Sequence, residues 1–98
     1  MGHDYWGNLY DESRRGTTLA EPSATERRKV VRDGDWNDYI IRCQGRRVQI
    51  WLNGQRTADY TEPDESLPQA GIIGLQIHGS SASEAWYKGI AVRPLLKE

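Results

Sequence analysis

The sequence lacks phenylalanine, has one cysteine and contains no long apolar segment. A single cysteine, Cys43, excludes an internal disulfide, and we predict for it a small buried or half-buried strand position. No apolar run approaches the ~20 residues that span a bilayer. The first residues, MGHDYWGNLYDESRRG, lack the apolar segment of a signal peptide. A net charge of −1 gives no overall field that would attract nucleic acid or an acidic membrane.

Tryptophan and tyrosine are plentiful instead: the 98 residues include four Trp and five Tyr. Aromatic rings that carry a polar atom suit half-buried surfaces and sugar-stacking platforms, as well as cores with wet edges. The length is enough for one domain with one modest core. We therefore expect residues 1–98 to form a single domain or a part of one.

The stretch 36–60, WNDYIIRCQGRRVQIWLNGQRTADY, predicts three short strands joined by two tight turns. Gly45 marks the first turn. Asn53-Gly54 marks the second, because a type I′ hairpin turn requires two residues that tolerate positive φ. In the middle strand Val48, Ile50 and Leu52 alternate with polar or aromatic residues, so they are predicted to face the core. In the first strand the same alternation predicts that Tyr39, Ile41 and Cys43 point inward.

The flanking regions extend this meander. Residues 1–35 read as a loop-rich lead-in with the basic run ERRKVVR at Glu26–Arg32. Thr25 is placed to cap one helical turn there, whereas Val30 and Val31 favour a strand, and the charges are predicted to be a solvated face. Two further strands are predicted within residues 71–95, at 71–78 and 85–95. Frequent turns between short strands indicate an all-β sandwich or barrel.

From residue 36 onward the chain resembles the second half of the 3-keto-disaccharide hydrolase domain family. The segments that carry the resemblance are W-N-x-Y, then W-L-N-G-x-x-x-x-D-Y, then G-x-I-G-L-Q-x-H-G, then a final W-Y-K-x-I strand. The earlier GNLYDESRRG is similar to the middle section of that domain. The matching residues are Trp36, Asn37, Tyr39, Trp51, Leu52, Asn53, Gly54, Asp59, Tyr60, Gly71, Ile73, Gly74, Leu75, Gln76, His78, Gly79, Trp86, Tyr87 and Ile90.

The resemblance implies a concanavalin-A-like jelly-roll β-sandwich. Whole domains of the family are about twice as long, so the resemblance covers a C-terminal half and implies a partial sandwich. A second chain or a separate N-terminal half would then cover the open strand edges. The family also implies a periplasmic or extracellular location.

The implied function is cleavage of glycosidic bonds in 3-keto-disaccharides or related keto-glycosides. The ketone acidifies the neighbouring C–H, so a base begins elimination of the glycosidic substituent and hydration completes net hydrolysis. This route needs one base and one oxyanion donor rather than the two carboxylates of ordinary glycosidases. A non-catalytic carbohydrate-binding module and an interaction domain without a sugar site remain open alternatives.

The candidate catalytic residues are His78, Arg15 and Glu12. His78 ends a predicted strand, and histidine is the residue type whose unperturbed pKa lies near neutral pH, which suits a general base. A strand-end histidine bonded to a nearby loop is the alternative. Arg15 would hold a hydroxyl or keto oxygen, and Glu12 would take a proton. A solvated loop is the alternative for both.

The candidate substrate-binding residues are Gln76, Trp51, Tyr10 and Arg14. Gln76 is an amide of the kind that grips sugar hydroxyls, and Trp51 would stack on a pyranose ring. A cross-strand hydrogen bond and a strand buried on both faces are their respective alternatives. Carbohydrate is thus the expected partner, with no nucleic acid and no membrane. No metal-ligand motif is present, and no cofactor is expected.

Overall fold

The computed structural model describes residues 6–11, 14–69, 71–75 and 86–95. The chain divides into two compact units, Met1–Leu67 and Pro68–Glu98. The described elements are β1 (Leu9–Asp11), β2 (Thr17–Ala20), α1 (Ala24–Val30), β3 (Tyr39–Gln44), β4 (Arg47–Leu52) and β5 (Gln55–Thr61). They form an antiparallel β1–β2 hairpin and an antiparallel β3–β4–β5 sheet. This arrangement confirms the all-β class, with one short helix in addition, while the jelly-roll strand order stays a prediction.

The predicted meander is present with both predicted turns. Gln44 pairs with Arg47 across the first turn, where Gly45 has φ 59°. Leu52 pairs with Gln55 across the second, where Asn53 and Gly54 have φ 50° and 84°. Two consecutive positive φ values are what a type I′ turn requires, so the Asn-Gly signal is confirmed.

The core lies on one face of β4 and β5, which we call the inner face. Ile50 is 5% exposed and Leu52 is fully buried, as the alternation in β4 predicted. Ala58 pairs with Ile50 and is 5% exposed. Thr57 is the extra residue of a β-bulge, since Ile50 pairs with Ala58 and Trp51 with Arg56. The bulge leaves both Thr57 and Ala58 buried.

The inward prediction for β3 is wrong. All six residues of β3 are exposed, including Ile41 at 61% and Cys43. β3 is the edge strand of the sheet and, within the described residues, has β4 as its strand neighbour. Tyr39 does contact a covering side chain, because its ring stacks on Trp6 at 5.8 Å between centroids. Alternation therefore identified the face correctly but not whether anything covers it.

Residues 6–8 fasten the lead-in to the inner face. The Gly7 N–H donates to the Tyr39 hydroxyl at 2.8 Å, and the Thr57 hydroxyl donates to the Gly7 carbonyl at 2.9 Å. Gly7 has φ 80°, and a Cβ there would lie 2.6 Å from Thr57 Oγ1. Only glycine combines this backbone conformation with so close an approach. The loop-rich lead-in is consequently part of the packed unit.

The segment predicted as a strand or single turn at Glu26–Arg32 is helical as far as Val30, because it forms most of α1 (Ala24–Val30). The N-cap is Ser23, so the prediction of Thr25 as the cap is wrong. Ser23 accepts from the Glu26 N–H at 3.1 Å, and the Glu26 side chain accepts from the Ser23 N–H at 3.2 Å. This capping box satisfies the first orphan donors and outweighs the strand preference of Val30. Arg27 is buried, contrary to the predicted solvated face: it donates to the Trp6 carbonyl at 3.0 Å and to Asn8 Oδ1 at 2.6 Å.

The second unit contains no strand within residues 71–75 and 86–95. Ile72 is 98% exposed, Leu75 58% and Trp86 73%. The strands predicted at 71–78 and 85–95 are therefore not seen in the portions that the structure describes. A β-strand is defined by backbone hydrogen bonds to a neighbouring strand, and alternation of side chains in the sequence does not identify that neighbour. Residues 76–85, which complete both predictions, lie outside the described residues.

Candidate functional site

The strongest polar cluster joins the loop of the β1–β2 hairpin to the end of β5. Arg15 Nη2 donates to Glu62 Oε2 at 2.7 Å, and Arg15 Nη1 lies 2.6 Å from Glu62 Oε1. Arg15 Nη1 also donates to the Tyr60 hydroxyl at 3.4 Å. The Glu62 side chain is 7% exposed and that of Arg15 is 29% exposed. A fork of two parallel hydrogen bonds fixes the guanidinium plane while part of the Arg15 side chain stays accessible to solvent.

The hairpin loop is itself held by Asp11. The Asp11 carbonyl accepts from the Gly16 N–H at 2.7 Å, and its carboxylate accepts from the Arg15 N–H at 3.4 Å. The same carboxylate accepts from Arg14 Nε at 3.2 Å and is 8% exposed. A backbone bond and a side-chain bond thus close the loop from one residue. Arg15 reaches Glu62 from a fixed base rather than from a free loop.

The electrostatics of the cluster favour permanent charges. The hydrogen bond from Arg15, followed by one from the Asp64 N–H, lowers the pKa of Glu62 from 4.5 to about 2. The bond to Glu62 raises the pKa of Arg15 above its ordinary value. Glu62 is therefore a poor proton acceptor near neutral pH, and its role is to orient Arg15. Arg15 is a fixed cation suited to an oxygen that gains negative charge.

Tyr60 and Glu62 reach the cluster through strand alternation. Tyr60 pairs with Val48, which places it on the inner face, and Glu62 follows two positions later. The Glu62 N–H donates to the Arg46 carbonyl at 2.8 Å, which extends the pairing past the end of β5. The cluster therefore lies at one end of the inner face, next to the core.

Trp51 is not brought together with Arg15. It lies between the buried residues Ile50 and Leu52, so its side chain is on the opposite face of the sheet, which we call the outer face. Trp51 is half-buried. Tyr10 lies in β1 opposite Thr18 and is 54% exposed. Arg14 is 46% exposed and bonds Asp11 within the hairpin loop.

Three predicted site residues, Glu12, Gln76 and His78, lie outside the described residues. Sequence reasoning named Arg14 and Arg15 as site residues but missed Glu62 as the partner of Arg15. The two are 47 positions apart, and no local pattern joins them. The available signal was the alternation in β5: continuing from Ala58 and Tyr60, it places Glu62 on the inner face.

Neither a metal site nor a membrane-spanning helix is found among the residues that the structure describes. Across residues 6–11, 14–69, 71–75 and 86–95, no three His, Cys, Asp or Glu side chains group as metal ligands. Within those residues, the helix α1 is not long and apolar enough to cross a bilayer.

Taken together, the fold and the cluster define a β-rich domain with a fixed arginine at one end of its inner face. Over residues 1–93 the chain matches the family model described as the 3-keto-alpha-glucoside-1,2-lyase-like domain. The chain belongs to this family, which confirms the resemblance and extends it to the N-terminal hairpin. No curated protein and no solved structure shows significant similarity to the chain.

Proposed function

We propose that this domain acts on 3-keto-glycosides by base-initiated elimination followed by hydration. Family membership over residues 1–93 supports the substrate class. The observation that carries the proposal is Arg15, a cation fixed at both Nη atoms and still partly accessible. Elimination next to a ketone is helped by a fixed, positively charged hydrogen-bond donor at the ketone oxygen, because that oxygen carries the negative charge of the enolate.

In this mechanism a base removes the proton from the sugar carbon between the ketone and the anomeric carbon. The electron pair moves onto the ketone oxygen, which Arg15 stabilises. The enolate then expels the glycosidic oxygen, which takes up a proton, and a C1=C2 double bond forms. Addition of water across that bond completes the net hydrolysis. His78 is the proposed base, with Glu12 as the second proton carrier.

The described residues support different roles for the positioning groups and the sugar-contacting groups of the proposed site. Glu62 has its pKa lowered to about 2 and is bonded to Arg15, so it is a positioning residue rather than the base. Asp11 fixes the hairpin loop. Arg14 and Tyr10, which are exposed near that loop, are proposed to contact sugar hydroxyls. Gln76 is proposed as a further amide contact.

Deuterium incorporation tests this reaction. The full chain is incubated with a p-nitrophenyl 3-keto-α-glucoside in D₂O, and the released sugar is analysed by mass spectrometry and NMR. Elimination and hydration place deuterium at C2, whereas direct hydrolysis leaves C2 unlabelled; an enzyme-free sample corrects for spontaneous exchange. Cleavage without C2 label overturns the elimination, and failure to cleave any keto-glycoside overturns the substrate class.

Variants test the assigned residues. Arg15→Gln is expected to lower kcat by about 10²–10³-fold, the usual cost of losing one oxyanion donor. His78→Ala is expected to abolish cleavage. Arg28→Gln is the matched control, because Arg28 is an exposed arginine on α1. If His78→Ala retains full turnover, the base assignment is wrong.

The proposal extends to a second chain and to location. β3 presents its backbone edge with Ile40 and Ile41 63% and 61% exposed, which favours pairing with another strand. A solution mass above that of the monomer supports such a partner, and a monomer at every concentration contradicts it. The periplasmic or extracellular location expected for the family is tested by cell fractionation.

A further inference from the structure

The outer face of the β3–β4–β5 sheet carries a polar and aromatic surface that the elimination site does not use. The face is defined by the cross-strand pairs of β4: Trp51 lies between Ile40 and Arg56, and Gln49 lies between Arg42 and Asp59. Paired residues on neighbouring strands point to the same side of a sheet. Arg47, two positions before Gln49, completes the central row.

The charges of this face are organised around Asp59. Arg47 donates to both carboxylate oxygens of Asp59, at 2.9 and 2.7 Å. Arg56 Nη1 lies 3.4 Å from the same carboxylate. Arg42, the third guanidinium of the face, donates to Gln44 Oε1 at 3.2 Å. Three guanidinium groups against one carboxylate leave two positive charges in excess, on a chain whose net charge is −1.

The apolar part of the face is a strip formed by Trp51 and its neighbour Ile40. Trp51 is half-buried, and Ile40 is 63% exposed. An indole ring with an apolar body and one N–H donor suits a ligand whose flat side is C–H bonds and whose edge is hydroxyls. Arg56, directly opposite Trp51 on the other strand, has a side chain that is 52% exposed.

We propose that the outer face binds an acidic oligosaccharide, with one sugar ring over Trp51 and Ile40 and its carboxylate against Arg56 or Arg42. Guanidinium groups match carboxylates as planar, two-point donors. Gln49 and Asp59 add amide and carboxylate groups for sugar hydroxyls. Binding here is separate from the proposed elimination chemistry, since Arg15 lies at the end of the inner face.

A single-stranded nucleic acid fits this surface less well. Such ligands need successive aromatic platforms along a groove of uniform positive charge. The described part of this face has one aromatic side chain, and Asp59 stands in the centre of its charged row. An acidic sugar needs a single stacking ring and a mixture of donors and acceptors, and both are present.

The test is a titration of the ¹⁵N-labelled full chain followed by NMR. The Trp51 indole signal is assigned with Trp51→Phe, and the probe is a trimer of galacturonic acid. We expect saturable shifts at Trp51 and at backbone amides of β3–β5, with affinity falling as NaCl rises from 20 to 500 mM. The matched neutral trimer of galactose is expected to bind at least 10-fold more weakly.

Variants decide which groups are responsible. Trp51→Ala is expected to abolish saturable binding, and Arg56→Gln with Arg42→Gln to weaken it at least 10-fold for the acidic trimer only. Arg28→Gln on α1 is the control and should bind normally; dispersed spectra confirm that each variant is folded. Equal affinity for both trimers, no saturable binding at 5 mM, or tighter binding of a single-stranded oligonucleotide would each overturn the proposal.

Discussion

Each of the two faces of the β3–β4–β5 sheet carries a bidentate arginine–carboxylate pair. The two pairs differ in which parts of the chain they join and in how exposed the carboxylate is. On the inner face Arg15 reaches Glu62 across 47 positions, and the carboxylate side chain is 7% exposed. On the outer face Arg47 reaches Asp59 on the neighbouring strand, and that carboxylate is 31% exposed. The first pair joins the β1–β2 hairpin loop to the end of β5. The second lies on the surface of two strands, β4 and β5, that are already paired through their backbones. The same bidentate geometry therefore joins the hairpin loop to β5 on one face and links two neighbouring strands on the other.

Neighbouring residues in β4 give the largest expected contrast between the faces. Leu52→Ala removes a fully buried side chain and is expected to lower the free energy of unfolding by about 2–5 kcal/mol. Trp51→Ala removes a larger but half-buried side chain on the outer face and is expected to cost less than half as much. Urea unfolding followed by circular dichroism measures both.

Leu52→Met is the control for volume, because it keeps the site apolar and should cost less than about 1.5 kcal/mol. If Trp51→Ala destabilises the chain more than Leu52→Ala, the outer face is part of the core and the comparison is wrong.

Two glycines with positive φ, one packed on the inner face and one in an open turn, give the next largest contrast in stability. Gly7 has φ 80°, and a Cβ there would meet three Thr57 atoms at 2.6–2.9 Å. Gly45 has φ 59° and open space around it. Gly7→Ala is expected to cost about 3 kcal/mol from backbone strain and overlap, and Gly45→Ala about 1 kcal/mol from strain alone.

Thermal unfolding of both glycine variants checks the difference. The Thr57→Ala background removes two of the three contacting atoms, so Gly7→Ala should cost less there than in the natural chain. Equal costs at Gly7 and Gly45 would show that residues 6–8 do not pack on the inner face.

The parts of the fold that sequence reasoning recovered are those fixed within a few residues. Asn53-Gly54 specifies its turn because the backbone there requires positive φ, and the burial of Ile50 and Leu52 follows from alternation. The helix was not recovered in this way: Ser23 and Glu26 have capping-box spacing, but the interpretation named Thr25 as the cap and let the β-branched Val30 and Val31 favour a strand.

What sequence reasoning missed depends on pairs that are distant along the chain. Exposure of Ile41 depends on which segment lies over the edge strand, and alternation carries no information about that. Arg15 was identified as a site residue, but its orientation comes from Glu62, which no local pattern connects to the hairpin loop. Alternation in β4 was enough to place Trp51 opposite Ile50 and Leu52, whereas the position of Arg15 on the inner face depends on its bond to Glu62.

The smallest expected effect, and the most specific, is the acid dependence of the two ion pairs. Glu62 has a folded pKa of about 2 against an ordinary 4.5, because Arg15 bonds its charged form. A depressed carboxyl pKa contributes stability above the unfolded value and loses it as pH falls from about 4.5 toward 2. Arg47 lowers the pKa of Asp59 in the same direction. Arg15→Gln should therefore reduce stability at pH 7 and flatten the decline between pH 4.5 and 2.

Arg47→Gln should have the smaller effect at pH 7, because exposed pairs contribute little and water screens them. Urea unfolding at pH 7, 4.5 and 3 measures both variants, with Arg28→Gln as the control for loss of one positive charge. In 1 M NaCl the difference between Arg47→Gln and the natural chain should vanish, while that for Arg15→Gln should largely remain. Equal salt sensitivity of the two pairs would mean that Glu62 is as solvated as Asp59, and the inner-face pair would then not be what fixes Arg15.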